Sequence, residues 1–289
     1  MTIITESARA KVNLTLRVLG KRADGYHELE SLVAFAGVAD TVTLDTAAPA
    51  GVEIRGPFGP SIAGENLVRV TLDRLKAVAP FLRLGAAKLE KNLPIAAGIG
   101  GGSADAAAVL RAVRRANPEH DTDFDWAGFS EKLGADVPVC FHNRPAIMRG
   151  TGELLQPLDD LPPLSVVLVN PQVPVPTDKT ARVFRALAAK PLDPLLPKQV
   201  CGPIDTRATL LTFMAATGND LVKPAREVVP EIGVVIDALE ACAGVELAAL
   251  SGGGPTCFGV FADEASAEAA AASLRAKHPA WWVVATRVQ

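Results

Sequence analysis

A chain of 289 residues with 49% hydrophobic and 21% charged residues sits among ordinary globular proteins, away from disorder, and its length predicts two lobes rather than one core. A net charge of −3 without a lysine- or arginine-rich stripe argues against nucleic acid as a partner and leaves any anion to be bound by local geometry. No run approaches a membrane span and Met1 to Arg9 lacks an apolar signal core, so the expectation is a cytoplasmic protein without a membrane partner.

In chain order, alternation and β-branched content predict strands over Ala8 to Leu19, Leu29 to Ala36 and Thr41 to Asp45. Asn66 to Val78 spaces Leu67, Val70, Leu72, Leu75 and Val78 by three or four residues, which predicts a helix, and Ala86 to Glu90 returns as a strand. A glycine-rich loop then enters the alanine-rich run Ala104 to Ala116, a helix stopped at Asn117-Pro118. The prolines from Gln156-Pro157 through Pro162-Pro163 mark the expected boundary between domains at 1–157 and 158–289. Beyond them, Leu164 to Val169 reads as a buried strand. Helices are expected over Thr177 to Ala189, Thr206 to Thr217, Arg226 to Ala243 and Glu264 to Lys277. Val245 to Leu250 and Cys257 to Phe261 are strands flanking a second glycine loop, and Trp281 to Val288 closes the chain as a strand. The mixture predicts an α+β fold. The proline-rich stretch Pro191 to Pro203 carries no functional assignment.

Cys140, Cys201, Cys242 and Cys257 are far apart, with neither a C-x-x-C pair nor a histidine at metal-ligand spacing, and are expected to be buried, reduced thiols. Absence of H-E-x-x-H and G-x-S-x-G removes the commonest zinc- and serine-hydrolase readings.

The stretch Pro94-Ile95-Ala96-Ala97-Gly98-Ile99-Gly100-Gly101-Gly102-Ser103-Ala104 carries the most chemical information. Its glycines permit tight turns and close approach of N–H groups to an anion. The helix that follows adds unpaired donors and a positive dipole end. A Walker loop would need Gly-Lys-Ser/Thr, whereas Ser103 follows Gly102 directly; a dinucleotide fingerprint begun at Gly98 has Ser103 in place of its third glycine. Polyphosphate is the expected guest, and a plain connection into a helix stays open as the alternative.

That loop, the early Ala10-Lys11-Val12-Asn13-Leu14 and the late Leu250-Ser251-Gly252-Gly253-Gly254-Pro255 together resemble the GHMP small-molecule kinase superfamily over nearly the whole chain. Lys21-Arg22-Ala23-Asp24-Gly25-Tyr26-His27-Glu28-Leu29 and Gly134-Ala135-Asp136-Val137-Pro138 narrow the resemblance to the branch acting on a cytidyl-diphosphate-linked methylerythritol. The resemblance implies a two-lobed fold, an N-terminal α/β lobe like ribosomal protein S5 domain 2 and a C-terminal ferredoxin-like lobe. It also implies transfer of the ATP γ-phosphoryl group to the substrate's 2-hydroxyl in non-mevalonate isoprenoid synthesis, and ATP chemistry in turn implies magnesium. A monomer or weak homodimer is expected. The loop departs from its commonest form, which carries two serines where this chain has Ser103-Ala104; Ser103 is one candidate hydroxyl for magnesium, whose ligands the sequence does not identify.

By alternation alone, Lys11 and Asn13 belong to a solvated strand face. The resemblance instead makes Lys11 catalytic, able to polarise the acceptor hydroxyl and stabilise the transferring phosphoryl, and places Asn13 against the substrate. Asp136 has the context of a turn or cap residue, and the resemblance makes it the general base. Tyr26, in a polar turn, offers a flat stacking ring or plain loop packing, and His27 offers ring nitrogens for the edge of a base; the resemblance implies that they recognise cytosine, with Phe184 as a second stacking surface or a core residue. Asn66 reads as an N-cap and Lys91 as an exposed strand-end lysine; the resemblance implies that both, with Pro94 to Ala104, contact ATP. Another GHMP kinase, of homoserine or mevalonate type, and a non-catalytic nucleotide-binding protein are the alternatives.

Overall fold

In the computed structural model the described residues are 3–62, 64–193 and 204–289. In chain order the strands are β1 (Ile3–Asn13), β2 (Arg17–Lys21), β3 (His27–Asp45), β4 (Gly51–Arg55), β5 (Ala86–Glu90), β6 (Ala146–Gly150), β7 (Leu154–Pro157), β8 (Leu164–Asn170), β9 (Val245–Leu250), β10 (Cys257–Phe261) and β11 (Trp282–Val288). The α-helices are α1 (Leu67–Val78), α2 (Gly101–Ala116), α3 (Trp126–Glu131), α4 (Val137–His142), α5 (Lys179–Leu187), α6 (Arg207–Thr217), α7 (Val222–Val228), α8 (Glu231–Glu240) and α9 (Glu264–Lys277). They form two compact units.

The first unit is built from the described parts of Met1–Lys11, Val38–Ile95 and Gly100–Asn143. β5 pairs antiparallel with the end of β3, from Thr41 opposite Glu90 to Asp45 opposite Ala86, and parallel with β4. α1 starts where the Asn66 side chain accepts the Val68 N–H at 2.7 Å, so the expected cap is present. It turns Val68, Thr71, Leu72 and Leu75 inward at the predicted spacing. α2 is buried along most of its length because its alanines allow close approach on more than one face. α1, α3 and α4 pack against it.

The second unit comprises Val12–Gly37, Ala96–Ile99 and the described part of Arg144–Gln289. β6 pairs antiparallel with the start of β3, from Leu29 opposite Gly150 to Val33 opposite Ala146. Four further strands lie in the order β11-β8-β10-β9, all neighbours antiparallel. Their chain order is β8, helices, β9, β10, α9, β11, the split β-α-β-β-α-β arrangement of a ferredoxin-like lobe. All five residues of the inner strand β10 are buried, which explains its continuous apolar run. α8 covers β9 and β10, while α9 lies on β8 and β11. The core gathers Val167, Val169, Ile232, Val235, Leu239 and Phe261.

The structure corrects several expected elements. The single helix expected over Arg226 to Ala243 is two, α7 and α8, broken at Val229-Pro230 because proline has no N–H to continue the ladder. β3 runs without a break through the expected gap between Ala36 and Thr41, and β1 starts at Ile3 and ends at Asn13. α3 and α4 were not anticipated; both are six residues long, too short for a periodic signal. Cys140 and Cys257 are buried free thiols and Cys242 is half-buried; Cys201 and residues 194–203 of the proline-rich stretch lie outside the described residues.

Candidate active site

Near the end of β1, Lys11 is 4% exposed, so the solvated face expected from alternation is not found. Its Nζ donates to Asp136 Oδ1 at 3.0 Å. Asp136 occupies the N-cap position of α4, but its side chain makes no capping bond, which leaves the carboxylate to Lys11 rather than to its own turn. The pair is asymmetric: the Lys11 side chain is 5% exposed and that of Asp136 35%, so the acid keeps a face open to a reactant. Gly100 lies directly beside them. A Cβ there would stand 3.3 Å from Lys11 Cβ and Cε and 3.9 Å from Asp136 Oδ2, and the residue has φ +62°. Glycine therefore serves both the left-handed backbone and the close approach.

Gly100 is also the N-cap of α2, with no side-chain capping bond, so the first-turn N–H groups of Gly101, Gly102 and Ser103 have no intrahelical acceptor. Such an end binds anions. Behind it lies Lys91, 3% exposed, which corrects the expectation of an exposed strand-end lysine. Its Nζ is 2.6 Å from Asp40 Oδ2 and 2.6 Å from Asp105 Oδ2, and a Cβ on Gly101 would stand 3.2 Å from that ammonium. Burial opposes the charge on Lys91, yet the two carboxylates outweigh it and hold the ammonium above the usual lysine range. Asp40 Oδ1 accepts the N–H groups of Asn92 and Leu93 at 2.5 and 2.8 Å. Asp105 Oδ1 is buried with no hydrogen-bond partner, and burial pushes this carboxyl up to about 8 against the pull of Lys91.

In the second unit, the segment Ala96 to Ile99 is stitched to Ser251 to Thr256. Lys179 Nζ donates to the Ala96 carbonyl at 3.1 Å and to the Gly254 carbonyl. The Thr256 N–H donates to the Ala97 carbonyl at 3.0 Å, and Ser251 Oγ to the Gly98 carbonyl at 3.0 Å. Gly98, at φ +77°, has no space for a side chain: a Cβ would be 2.6 Å from the Gly254 carbonyl oxygen. Asn13, 4% exposed, joins the same cluster: its N–H donates to Ser251 Oγ at 3.1 Å and its Nδ2 to Ser31 Oγ at 2.7 Å. Asn219 Nδ2 donates to the Leu250 and Gly252 carbonyls at 2.9 Å each.

Tyr26 is 66% exposed in a turn whose Asp24 carboxylate accepts the Tyr26 N–H at 3.0 Å. The His27 and Phe184 rings stack with centroids 4.6 Å apart at 22°. Phe184 also packs on the core of its unit, in line with the core alternative. Burial, and then the charge of Lys21, lower the His27 pKa from its ordinary value, which favours the neutral ring with one donor and one acceptor.

The family model for the GHMP kinases N terminal domain matches residues 66–144 and that for the GHMP kinases C terminal matches residues 202–280. The chain is 49% identical to a 4-diphosphocytidyl-2-C-methyl-D-erythritol kinase of Methylobacterium radiotolerans over 99% of both chains. It is 47% identical to one of Parvibaculum lavamentivorans, over 97% of this chain and 96% of the relative. The chain belongs to the 4-diphosphocytidyl-2-C-methyl-D-erythritol kinase family, a branch of the GHMP kinases. A crystal structure of a 4-(cytidine 5'-diphospho)-2C-methyl-D-erythritol kinase superposes with a TM-score of 0.76 at 33% identity, covering 99% of each chain.

Within this GHMP kinase fold, Lys11, Asp136 and Gly100 meet in one unit, and Asn13, Gly98 and Ser251 in the other. Asn66 is engaged as a helix cap and Lys91 in a buried ion triad. Sequence reasoning missed Ser31, Asp40, Asp105 and Lys179. Asp105 stood in view inside the glycine-loop helix, where a buried acid among alanines is a signal in itself; Lys179, on an amphipathic helix, carried none.

Proposed function

We propose that this chain transfers the γ-phosphoryl group of ATP to the 2-hydroxyl of 4-diphosphocytidyl-2-C-methyl-D-erythritol in non-mevalonate isoprenoid synthesis. The observation that carries the chemistry is the Lys11–Asp136 pair, 3.0 Å apart beside Gly100 at the start of α2. The substrate hydroxyl oxygen attacks the γ-phosphorus, the bond to the bridging oxygen breaks, ADP leaves, and the hydroxyl proton passes to Asp136. Lys11 orients that carboxylate and supplies positive charge where the transferring phosphoryl gains negative charge.

Pro94 to Ala104 carries the ATP phosphates on the uncapped N-terminus of α2, a fit that rests on backbone donors rather than on a side chain. Asn66 and Lys91 border the nucleotide. Among the described residues no group of three or more His, Cys, Asp or Glu side chains could hold a metal ion; magnesium carried on nucleotide phosphates needs no such cage. Ser103 in the first turn of α2 is the hydroxyl we assign to it, and its charge, when bound, offsets that of the phosphates. Cytosine is read by the edge of His27 and stacked by Tyr26, with Phe184 backing the His27 ring, while Asn13 serves the substrate through the second loop. The working division of the chain is an ATP-binding part, 1–157, and a C-terminal part, 158–289. No helix among the described residues is long and apolar enough to cross a membrane, and we assign the chain to the cytoplasm as a monomer or weak homodimer.

Purified protein with Mg-ATP and a panel of alcohols tests this reading. ADP release with phosphorylation of the cytidyl-diphosphate substrate is expected. Turnover on homoserine or mevalonate without it would overturn the substrate assignment, and no turnover on any alcohol would favour a nucleotide-binding role.

A further inference from the structure

The glycine loop contains no lysine, although it is built to meet an anion. Lys179, at the start of α5, is 7% exposed, and its Nζ reaches the Ala96 and Gly254 carbonyls. Among the described residues no carboxylate pairs with it. Its neighbour Asp178 is spent on Arg182 at 2.7 Å. α7, packed against α5, carries Lys223, Arg226 and Glu227, of which Arg226 lies against Gly233. The Cys257 thiol on β10 is pushed far up by burial and is neutral. A buried ammonium bonded to two neutral carbonyls is incompletely compensated, and an anion is the partner that completes it.

The geometry of the loop agrees. The carbonyls of Ala96, Ala97 and Gly98 accept in turn from Lys179, the Thr256 N–H and Ser251 Oγ, all within the second unit. Their oxygens, which would repel an anion, are thereby held by protein donors.

We propose that Lys179 is a positioning residue for a nucleoside polyphosphate: it staples the first glycine loop to the second and supplies the positive charge that the loop itself lacks. The inference rests on the kinase reading above. ATP and the cytidyl diphosphate share the relevant chemistry, so each is tested separately.

Dissociation constants for Mg-ADP and for the cytidyl-diphosphate substrate are measured on wild type, Lys179→Met and Lys179→Arg, with the melting temperature of each ligand-free protein. Lys179→Met should weaken one ligand at least tenfold, and the ligand that moves names the source. Lys179→Arg should stay within threefold. Burial holds the ammonium at about 8, so wild-type affinity should fall between pH 7 and 9 while that of Lys179→Met stays flat, a response that a purely structural role would not produce. Unchanged affinities in Lys179→Met, or equal losses in both variants with a collapse in melting temperature, would overturn the inference. Should Lys179→Met fail to fold, the wild-type and Lys179→Arg pH profiles decide: a flat wild-type profile overturns it. If wild type binds Mg-ADP but does not phosphorylate the cytidyl substrate, the kinase reading fails while the binding comparison stands.

Discussion

Lys11 and Asp136 are separated by 125 positions, yet their side chains meet at 3.0 Å. The lysine is almost wholly buried and the acid open on one face. Such a pair keeps its cation fixed while the carboxylate remains accessible, the division of labour that a positioned base and an electrostatic stabiliser require.

Replacing Gly100 with alanine tests how closely the loop depends on that pair. A non-glycine residue at φ +62° costs about 1–2 kcal/mol in backbone strain, and the new Cβ would press on Lys11 at 3.3 Å. We expect a lower melting temperature and a kcat reduced about 10- to 100-fold, because small displacements of reacting groups are costly. Steady-state ADP release and thermal unfolding check both.

The Asp40–Lys91–Asp105 triad has one cation for two carboxylates, and Asp105 is the acid without full satisfaction. Its carboxyl is raised to about 8 when folded, so the folded state holds the proton more tightly than the unfolded state. That stabilisation is present at low pH and is lost as pH rises toward and through 8. Melting temperature should therefore fall between pH 6 and 8 in wild type, and this slope should be smaller in Asp105→Asn. Identical slopes would show that Asp105 does not titrate in this window.

The proposed stacking and edge recognition of cytosine are tested separately at Tyr26 and His27. Base stacking is worth about 1–3 kcal/mol by alanine substitution. Tyr26→Ala should raise KM for the cytidyl substrate about fivefold or more, with Tyr26→Phe close to wild type. His27→Ala should raise the same KM and leave that for ATP unchanged. An equal effect on both substrates would remove His27 from the cytosine site.

Asn66 is the residue where capping and nucleotide binding compete as explanations. Its Oδ1 is engaged by the Val68 N–H, and loss of such a cap costs about 0.5–2 kcal/mol. Asn66→Asp retains the cap and loses the Nδ2 donor, so it should keep the melting temperature while raising KM for ATP a fewfold. An unchanged KM would leave Asn66 as a cap alone.

The parts of the fold that were legible in the sequence are those governed by local rules. Ala86–Glu90, Val245–Leu250, Cys257–Phe261 and Glu264–Lys277 have the expected limits, because alternation, apolar runs and capping residues are encoded within a few positions. The turn from the glycine loop into α2 was legible for the same reason. Burial of charged residues was not. Alternation assigned Lys11 to a solvated face because nothing near it announces Asp136, and Lys91 looked like a strand-end lysine because one of its two acids, Asp40, lies 51 positions earlier. Lys179 was silent altogether, since its partners are backbone carbonyls on two distant loops.

The central claim, that Asp136 takes the proton while the glycine loop holds the nucleotide, is tested most directly by the steady-state kinetics of Asp136→Asn with Mg-ATP and the cytidyl-diphosphate substrate. General-base removal predicts a kcat lower by about 10²- to 10⁴-fold, with KM for both substrates within about threefold of wild type. Full turnover in this variant would contradict the assignment, as would a loss confined to KM.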